Sequence, residues 1–172
     1  GGPAYRNVGN ILFSNLMGAE LYLDETERPI EDEGPLEDLV AHLTAQGHKP
    51  YSIPGGASDH PLGSFGYAVC AAEIIEQSQE HGISFDYVVH CTGSSSTQSG
   101  LLAGLAALES NIRVIGIPDD EETEIKKGRV LRLANAALEH LGAPQRVKSE
   151  AVEIVVGDAS PYGVSDATTF DA

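Results

Sequence analysis

Apolar residues along the chain recur in two patterns, one with the spacing of helices and one of short runs that are typical of strands. The helical spacing predicts helices over residues 7–17, 35–47, 62–79, 101–108 and 121–141. Short apolar or alternating runs predict strands over residues 20–23, 50–54, 85–91, 113–118 and 152–156. Helices and strands therefore alternate along the whole sequence.

This alternation is typical of α/β proteins, in which helices connect parallel strands. Right-handed crossovers then place helices on the faces of the sheet. We therefore predict a three-layer α/β fold with a mostly parallel sheet and helices on both faces. Residues 1–33 are expected to form a leading helix–strand unit or the end of a small domain. Residues 34–172 are expected to form an α/β core that is incomplete at its C-terminal end.

A run of small polar residues follows the predicted strand at residues 85–91 and precedes an apolar helix. The run consists of Thr92, Gly93, Ser94, Ser95, Ser96 and Thr97. At such a junction the first amides of the helix point outward, and the helix dipole adds partial positive charge. Because small residues let an anion approach closely, the run predicts a phosphate-binding site.

An ordinary strand-to-helix loop is the alternative interpretation, because Ser, Thr and Gly are common in helix caps and turns. The run is not a Walker loop, since no Lys follows its glycine. The spacing of Gly93 and Gly100 also differs from the dinucleotide-binding fingerprint.

The charge of the chain limits its partners. With 26 acidic and 10 basic residues the formal net charge is −16, so nucleic acid is not expected to bind. No apolar run is long enough to span a membrane, and no signal peptide is recognisable. Cys70 and Cys91 are expected to be reduced core residues of a cytoplasmic protein. The acidic residues 119–122 favour a helix start, so no metal site is predicted.

Five segments, taken in order, resemble one enzyme family. They are residues 9–20, 46–63, 86–89 with the loop that follows, 113–117 and 162–164. The segment 46–63 is the most specific of them. Together they resemble the 1-aminocyclopropane-1-carboxylate deaminase and D-cysteine desulfhydrase group of the fold-type II pyridoxal-phosphate enzymes.

The resemblance implies a cofactor, a reaction and site residues. Members of the group are homodimeric lyases that release ammonia and a 2-oxo acid from a small amino acid. By resemblance, pyridoxal phosphate is the cofactor and residues 92–97 hold its phosphate. Tyr162 is expected to approach the substrate as a catalytic residue, although a packed turn aromatic is the alternative. Ser58 is expected either to contact the substrate or to cap a helix.

The sequence departs from the family at two places. Ser96 stands where many members have a glycine, so a positive φ there would strain the backbone. The family's Gly-Gly-Asn-Lys segment, whose lysine binds the cofactor covalently, is absent from the chain. Lys49, Lys126 and Lys127 are instead expected to face solvent.

The chain alone is therefore expected to be inactive, as the central part of a longer enzyme that is itself a pyridoxal-phosphate lyase or deaminase. Two alternatives remain open. One is a phosphosugar- or nucleotide-binding module, because similar loops in α/β sheets hold other phosphates. The other is a noncatalytic structural remnant.

Overall fold

The computed structural model describes residues 8–24, 32–53, 60–118 and 122–156. The chain divides into two compact units, Gly1–Ser52 and Ile53–Ala172. Compactness alone does not define a domain, so the boundary after residue 33 stays a prediction.

The first unit contains helix α1 (Gly9–Leu16) and helix α2 (Gly34–Ala45). Gly18 follows α1 with a φ of +81°, a conformation that glycine adopts without strain. The Ala19 amide then donates to the Ser14 carbonyl at 2.9 Å, which closes the helix end. Neither helix contains a buried residue.

Two predicted strands are not formed, because residues 20–23 and 50–53 have no regular secondary structure. An alternating pattern describes a half-buried surface but does not provide a neighbouring strand to pair with. In the first of these segments, the Tyr22 hydroxyl instead donates to the Glu20 carboxylate at 2.9 Å.

The second unit has an alternating order of helices and strands. In sequence, its elements are α3 (Phe65–His81), β1 (Tyr87–Cys91), α4 (Ser96–Ala107), β2 (Arg113–Ile117), α5 (Thr123–His140) and β3 (Glu153–Ile154). Short 3₁₀ turns lie at Pro61–Ser64 and Ser149–Ala151. The three strands pair in the order β1-β2-β3 and are all parallel. The predicted α/β class with a parallel sheet is confirmed.

Helix α4 is the centre of this unit. It contacts α3, α5 and β2, and the residues from Gln98 to Leu105 are all buried. The close approach of its neighbours depends on two glycines. A Cβ at Gly100 would lie 2.2 Å from the Ser64 carbonyl oxygen, and one at Gly104 would lie 2.5 Å from that of Ala68.

The two faces of the sheet differ in burial. Val114 is fully buried in the core that α4 and α5 form, and Val88 packs against that core. Side chains alternate between the faces of a strand, so Tyr87, Val89 and Cys91 point the other way. Val89 is 62% exposed, and Cys91 is exposed as well. The prediction that Cys91 is a core residue is wrong, because the described helices do not cover this face.

Replacing Gly100 by Ala should lower the free energy of unfolding by about 1–3 kcal/mol, because a methyl group would collide with backbone. Gly128→Ala in α5 is the matched control, since a methyl group there would meet no atom within 4 Å outside the backbone of its own helix. That change should raise stability by up to about 1 kcal/mol through helix propensity. Urea unfolding of both variants measures the difference, and equal midpoints would contradict the packing of α4.

Candidate functional site

The phosphate-loop prediction concerns the connection between β1 and α4, here called the β1–α4 loop (residues 92–95). Thr92 is the first residue after β1, and its amide donates a hydrogen bond to the Ile117 carbonyl of β2 at 2.8 Å. Gly93, Ser94 and Thr97 are partly exposed, whereas Ser96 is buried as the first residue of α4. The connection therefore lies at the carboxyl edge of the parallel strands, where ligands of α/β proteins bind.

Two hydroxyl groups in this loop lack a partner. Thr92 and Ser95 are each only 1% exposed. Neither Thr92 Oγ1 nor Ser95 Oγ has a hydrogen-bond partner in the part of the chain that the structure describes. An unsatisfied buried hydroxyl costs about 1–3 kcal/mol. Phosphate oxygens accept hydrogen bonds, so the pair fits the phosphate of pyridoxal phosphate.

The backbone of Ser95 is strained. Its φ is +66° and its ψ is −23°, a left-handed conformation that costs a non-glycine residue about 1–2 kcal/mol. The expectation placed possible strain at Ser96, and this is wrong. Ser96 is the first residue of the right-handed helix α4, so the change of direction falls one residue earlier.

The first turn of α4 supplies backbone donors. The first bond within the helix runs from the Ser99 amide to the Ser95 carbonyl at 3.0 Å, so the amides of Thr97 and Gln98 precede it. The helix itself offers no acceptor to amides of this turn. No acidic residue lies in the turn, although the chain carries a net charge of −16. The local field therefore favours an anion.

Gln98 connects the start of α4 to the sheet. Its side-chain amide donates to the Glu153 carbonyl at 2.8 Å, and the residue is fully buried. A Cβ at Gly116 would lie 2.5 Å from Gln98 Oε1 and 2.7 Å from Thr92 Cγ2. The glycine thus makes room for both side chains. Sequence reasoning assigned no role to Gln98, which lies between Thr97 and Ser99 in the polar run before the apolar residues of α4.

Lys126 does not face solvent, so that prediction is wrong. Its side chain is fully buried, and Nζ donates to the Gly93 carbonyl in the β1–α4 loop. The available signal was its position four residues before Val130, which is also fully buried, on one face of α5. Lys49 is exposed as predicted, and Lys127 is partly exposed beside Glu124 at 3.6 Å.

His90 lies two residues before Thr92 in the sequence. Burial lowers the pKa of its imidazole below the usual value, because desolvation disfavours the charged form. Its Nδ1 lies 2.7 Å from the Cys91 carbonyl, which can only accept, so Nδ1 carries the proton. His90 therefore adds no positive charge beside the loop at neutral pH.

Ser58 and Tyr162 lie outside the described residues, so their roles stay predictions. His60 is the next described residue, and its Nδ1 accepts a hydrogen bond from the Leu62 amide at 3.2 Å. This bond caps the 3₁₀ turn at Pro61–Ser64. The following turn reaches α4, where the hydroxyls of Ser64 and Ser99 are 2.7 Å apart. Ser99 in turn donates to the Ser96 carbonyl at 3.1 Å.

Other candidate sites are less suitable for phosphate. A groove of about 610 Å³ in the first unit is lined by Tyr22, Leu39 and His42, but also by Asp24 and Asp38. Two carboxylates would repel a dianion. Within the described ranges, no cluster of three or more His, Cys, Asp or Glu side chains could hold a metal ion. No helix in those ranges is both long and apolar enough to cross a membrane.

The structure is a parallel α/β fold in which two buried hydroxyls without a described partner lie between β1 and α4. The family model described as "Pyridoxal-phosphate dependent enzyme" matches residues 3–172. The chain belongs to this family, and pyridoxal phosphate is its cofactor. Both the fold class and the family resemblance are confirmed.

Individual relatives point to one group within the family. The chain is 34% identical to a probable 1-aminocyclopropane-1-carboxylate deaminase of Cryptococcus neoformans, over 99% of its own length and 50% of the relative's. It is 34% identical to a protein of the same name from Schizosaccharomyces pombe, with 98% and 50% covered. The chain thus spans about half the length of these relatives.

A solved structure gives the same result. It is described as an ACC deaminase homologue, and it matches with a TM-score of 0.77 and 31% sequence identity. The match covers 92% of this chain and 46% of the other. The resemblance to this deaminase group therefore holds for both sequence and fold.

Replacing Ser95 by Gly should raise the free energy of unfolding of the ligand-free chain by about 1 kcal/mol, because glycine relieves the left-handed strain. Ser95 Oγ has no described partner, so its removal costs no known hydrogen bond. The control is Ser96→Gly, which should lower stability by up to about 1 kcal/mol, since glycine disfavours a helix. Chemical denaturation checks both, and a destabilised Ser95→Gly variant would contradict the assigned strain.

Proposed function

We propose that the chain is part of a pyridoxal-phosphate-dependent lyase or deaminase that acts on a small amino acid and releases ammonia and a 2-oxo acid. The candidate substrates are 1-aminocyclopropane-1-carboxylate, D-cysteine and related sulfur or sulfonate amino acids. The observation that carries the proposal is a pair of buried hydroxyls in the β1–α4 loop that have no partner among the described residues, in a member of this family. The names of the relatives support a small amino acid as substrate.

In this proposal the cofactor phosphate is held by the following residues of the β1–α4 loop and the first turn of α4: Thr92, Gly93, Ser94, Ser95, Ser96 and Thr97. The hydroxyls of Thr92 and Ser95 donate to phosphate oxygens, which satisfies two buried groups. The amides of the helix start add further donors. When bound, pyridoxal phosphate supplies an electron sink for negative charge that develops on the substrate's α-carbon.

Tyr162 and Ser58 are proposed to act on the substrate. Tyr162 would bind its carboxylate or move a proton, because a phenol can both donate and accept. Ser58 would donate a hydrogen bond to it. The proposal for Ser58 is supported by the 3₁₀ turn at Pro61–Ser64, which follows it closely in sequence and contacts α4 through the hydroxyls of Ser64 and Ser99.

The proposal includes a homodimer in the cytoplasm. Support for self-association comes from the apolar residues on the open face of the sheet, such as Val89. Support for a reducing compartment comes from Cys70 and Cys91, which are both free thiols.

Substituting Thr92 by Val should weaken pyridoxal phosphate binding roughly 10–100-fold, the value of one hydrogen bond to a charged group. The change keeps the side-chain shape, so the ligand-free fold should persist. Ser78→Ala is the control, because the Ser78 hydroxyl donates to the Ile75 carbonyl at 2.8 Å within α3, away from the loop. Fluorescence titration measures both dissociation constants.

The outcome of this titration separates the candidate functions. Ribose 5-phosphate that binds as tightly as pyridoxal phosphate would favour a general phosphosugar-binding module. Binding of neither compound would favour a structural remnant. An unchanged affinity in Thr92→Val would contradict the role of that hydroxyl.

The 172-residue chain should show no turnover of 1-aminocyclopropane-1-carboxylate or D-cysteine, because it lacks the family's lysine segment. Lys126 is no substitute, since its ammonium is held by the Gly93 carbonyl. Ammonia release and 2-oxo acid formation are measured with saturating cofactor. Turnover by the purified chain would contradict the expected inactivity.

A further inference from the structure

Lys126 occupies a position that is unfavourable for a cation on two counts. Its side chain is fully buried, and removing an ammonium from water is costly unless polar groups compensate it. It also lies near the start of α5, which begins at Thr123, where the helix dipole disfavours positive charge.

The contact of Lys126 lies inside the proposed phosphate site. Its Nζ donates to the carbonyl of Gly93, which directly follows Thr92. In the sequence, Gly93 thus lies between Thr92 and Ser95, whose hydroxyls have no hydrogen-bond partner among the described residues. The side chain thereby links α5 to the middle of the β1–α4 loop.

We propose that Lys126 is a positioning residue for phosphate, an inference that rests on the proposed function. Its hydrogen bond holds the Gly93 peptide so that the hydroxyls of Thr92 and Ser95 face the ligand. Its buried charge also offsets the charge of a phosphate dianion, which is screened little by water in a buried site. The site should therefore prefer phosphorylated ligands, because the Lys126 ammonium attracts the phosphate without contacting it.

The local charges favour this assignment. His90 is neutral near pH 7, and the first turn of α4 contains no acidic residue. Lys127 is the neighbouring lysine, but it is partly exposed and pairs with Glu124 at 3.6 Å. Lys126 and Lys127 thus provide a buried and a solvated lysine at adjacent positions of one helix.

The test compares Lys126→Met with Lys127→Met in the full 172-residue chain. Dissociation constants are measured for pyridoxal phosphate, inorganic phosphate and pyridoxal, together with the ligand-free melting temperature. Lys126→Met should weaken both phosphate-containing ligands about tenfold or more and change pyridoxal binding less than twofold. Lys127→Met should change none of the three. Lys126→Gln keeps a donor without the charge, so it decides the question if the Met variant does not fold.

A purely structural lysine would lower the melting temperature without changing the preference for phosphate over pyridoxal, and that result would overturn the inference. Equal loss of pyridoxal and pyridoxal phosphate binding in Lys126→Met would overturn it as well. Failure of the proposed function would give a different binding result. In that case the wild-type chain would bind inorganic phosphate as tightly as pyridoxal phosphate, while the effect of Lys126→Met on phosphate would persist. A wild-type chain that binds no phosphate compound would overturn both.

Discussion

The burial of α4 on all sides is the constraint on which the second unit depends. Because α3, α5 and β2 all contact this helix, its start is held at the carboxyl edge of the sheet. The chain must then pass from β1 into α4 within a few residues. That short connection accounts for the left-handed Ser95 and for the buried hydroxyls of Thr92 and Ser95, which have no partner in the described ranges. Strain and unsatisfied groups of this kind are typical of ligand sites, where binding repays their cost.

Hydrogen bonds to β3 and from α5 hold the first turn of α4 and the β1–α4 loop in this conformation. Gln98 ties the first turn of α4 to Glu153 of β3, and Lys126 ties the loop to α5. Gly116 leaves the space that Gln98 and Thr92 fill. In the proposed function the donors to phosphate are therefore oriented before binding, which lowers the ordering cost of binding. The chain spans about half the length of the relatives that it matches, so the activity of the whole protein stays a proposal.

The sequence was sufficient for features that depend on local patterns. The strand–loop–helix unit around Thr92 and the amphipathic pattern of α5 were both predicted from periodicity and composition. Features that depend on distant partners were not. Residues 20–23 alternate like a strand but form none, because pairing needs a neighbour. The buried Lys126 was mistaken for a surface residue because its acceptor, Gly93, is remote in sequence. The expectation of strain at Ser96 came from the glycine that many family members have there, whereas the positive φ falls on Ser95.

The amides and hydroxyls at the β1–α4 junction are proposed to bind a phosphate. Amide chemical shifts of the ¹⁵N-labelled chain, followed during titration with pyridoxal phosphate, test it most directly. The largest shifts should fall on residues 93–98, and the amides of Thr97 and Gln98 should move downfield as they donate to phosphate oxygens. Shifts confined to the groove around Tyr22 and His42, with the junction unmoved, would contradict it.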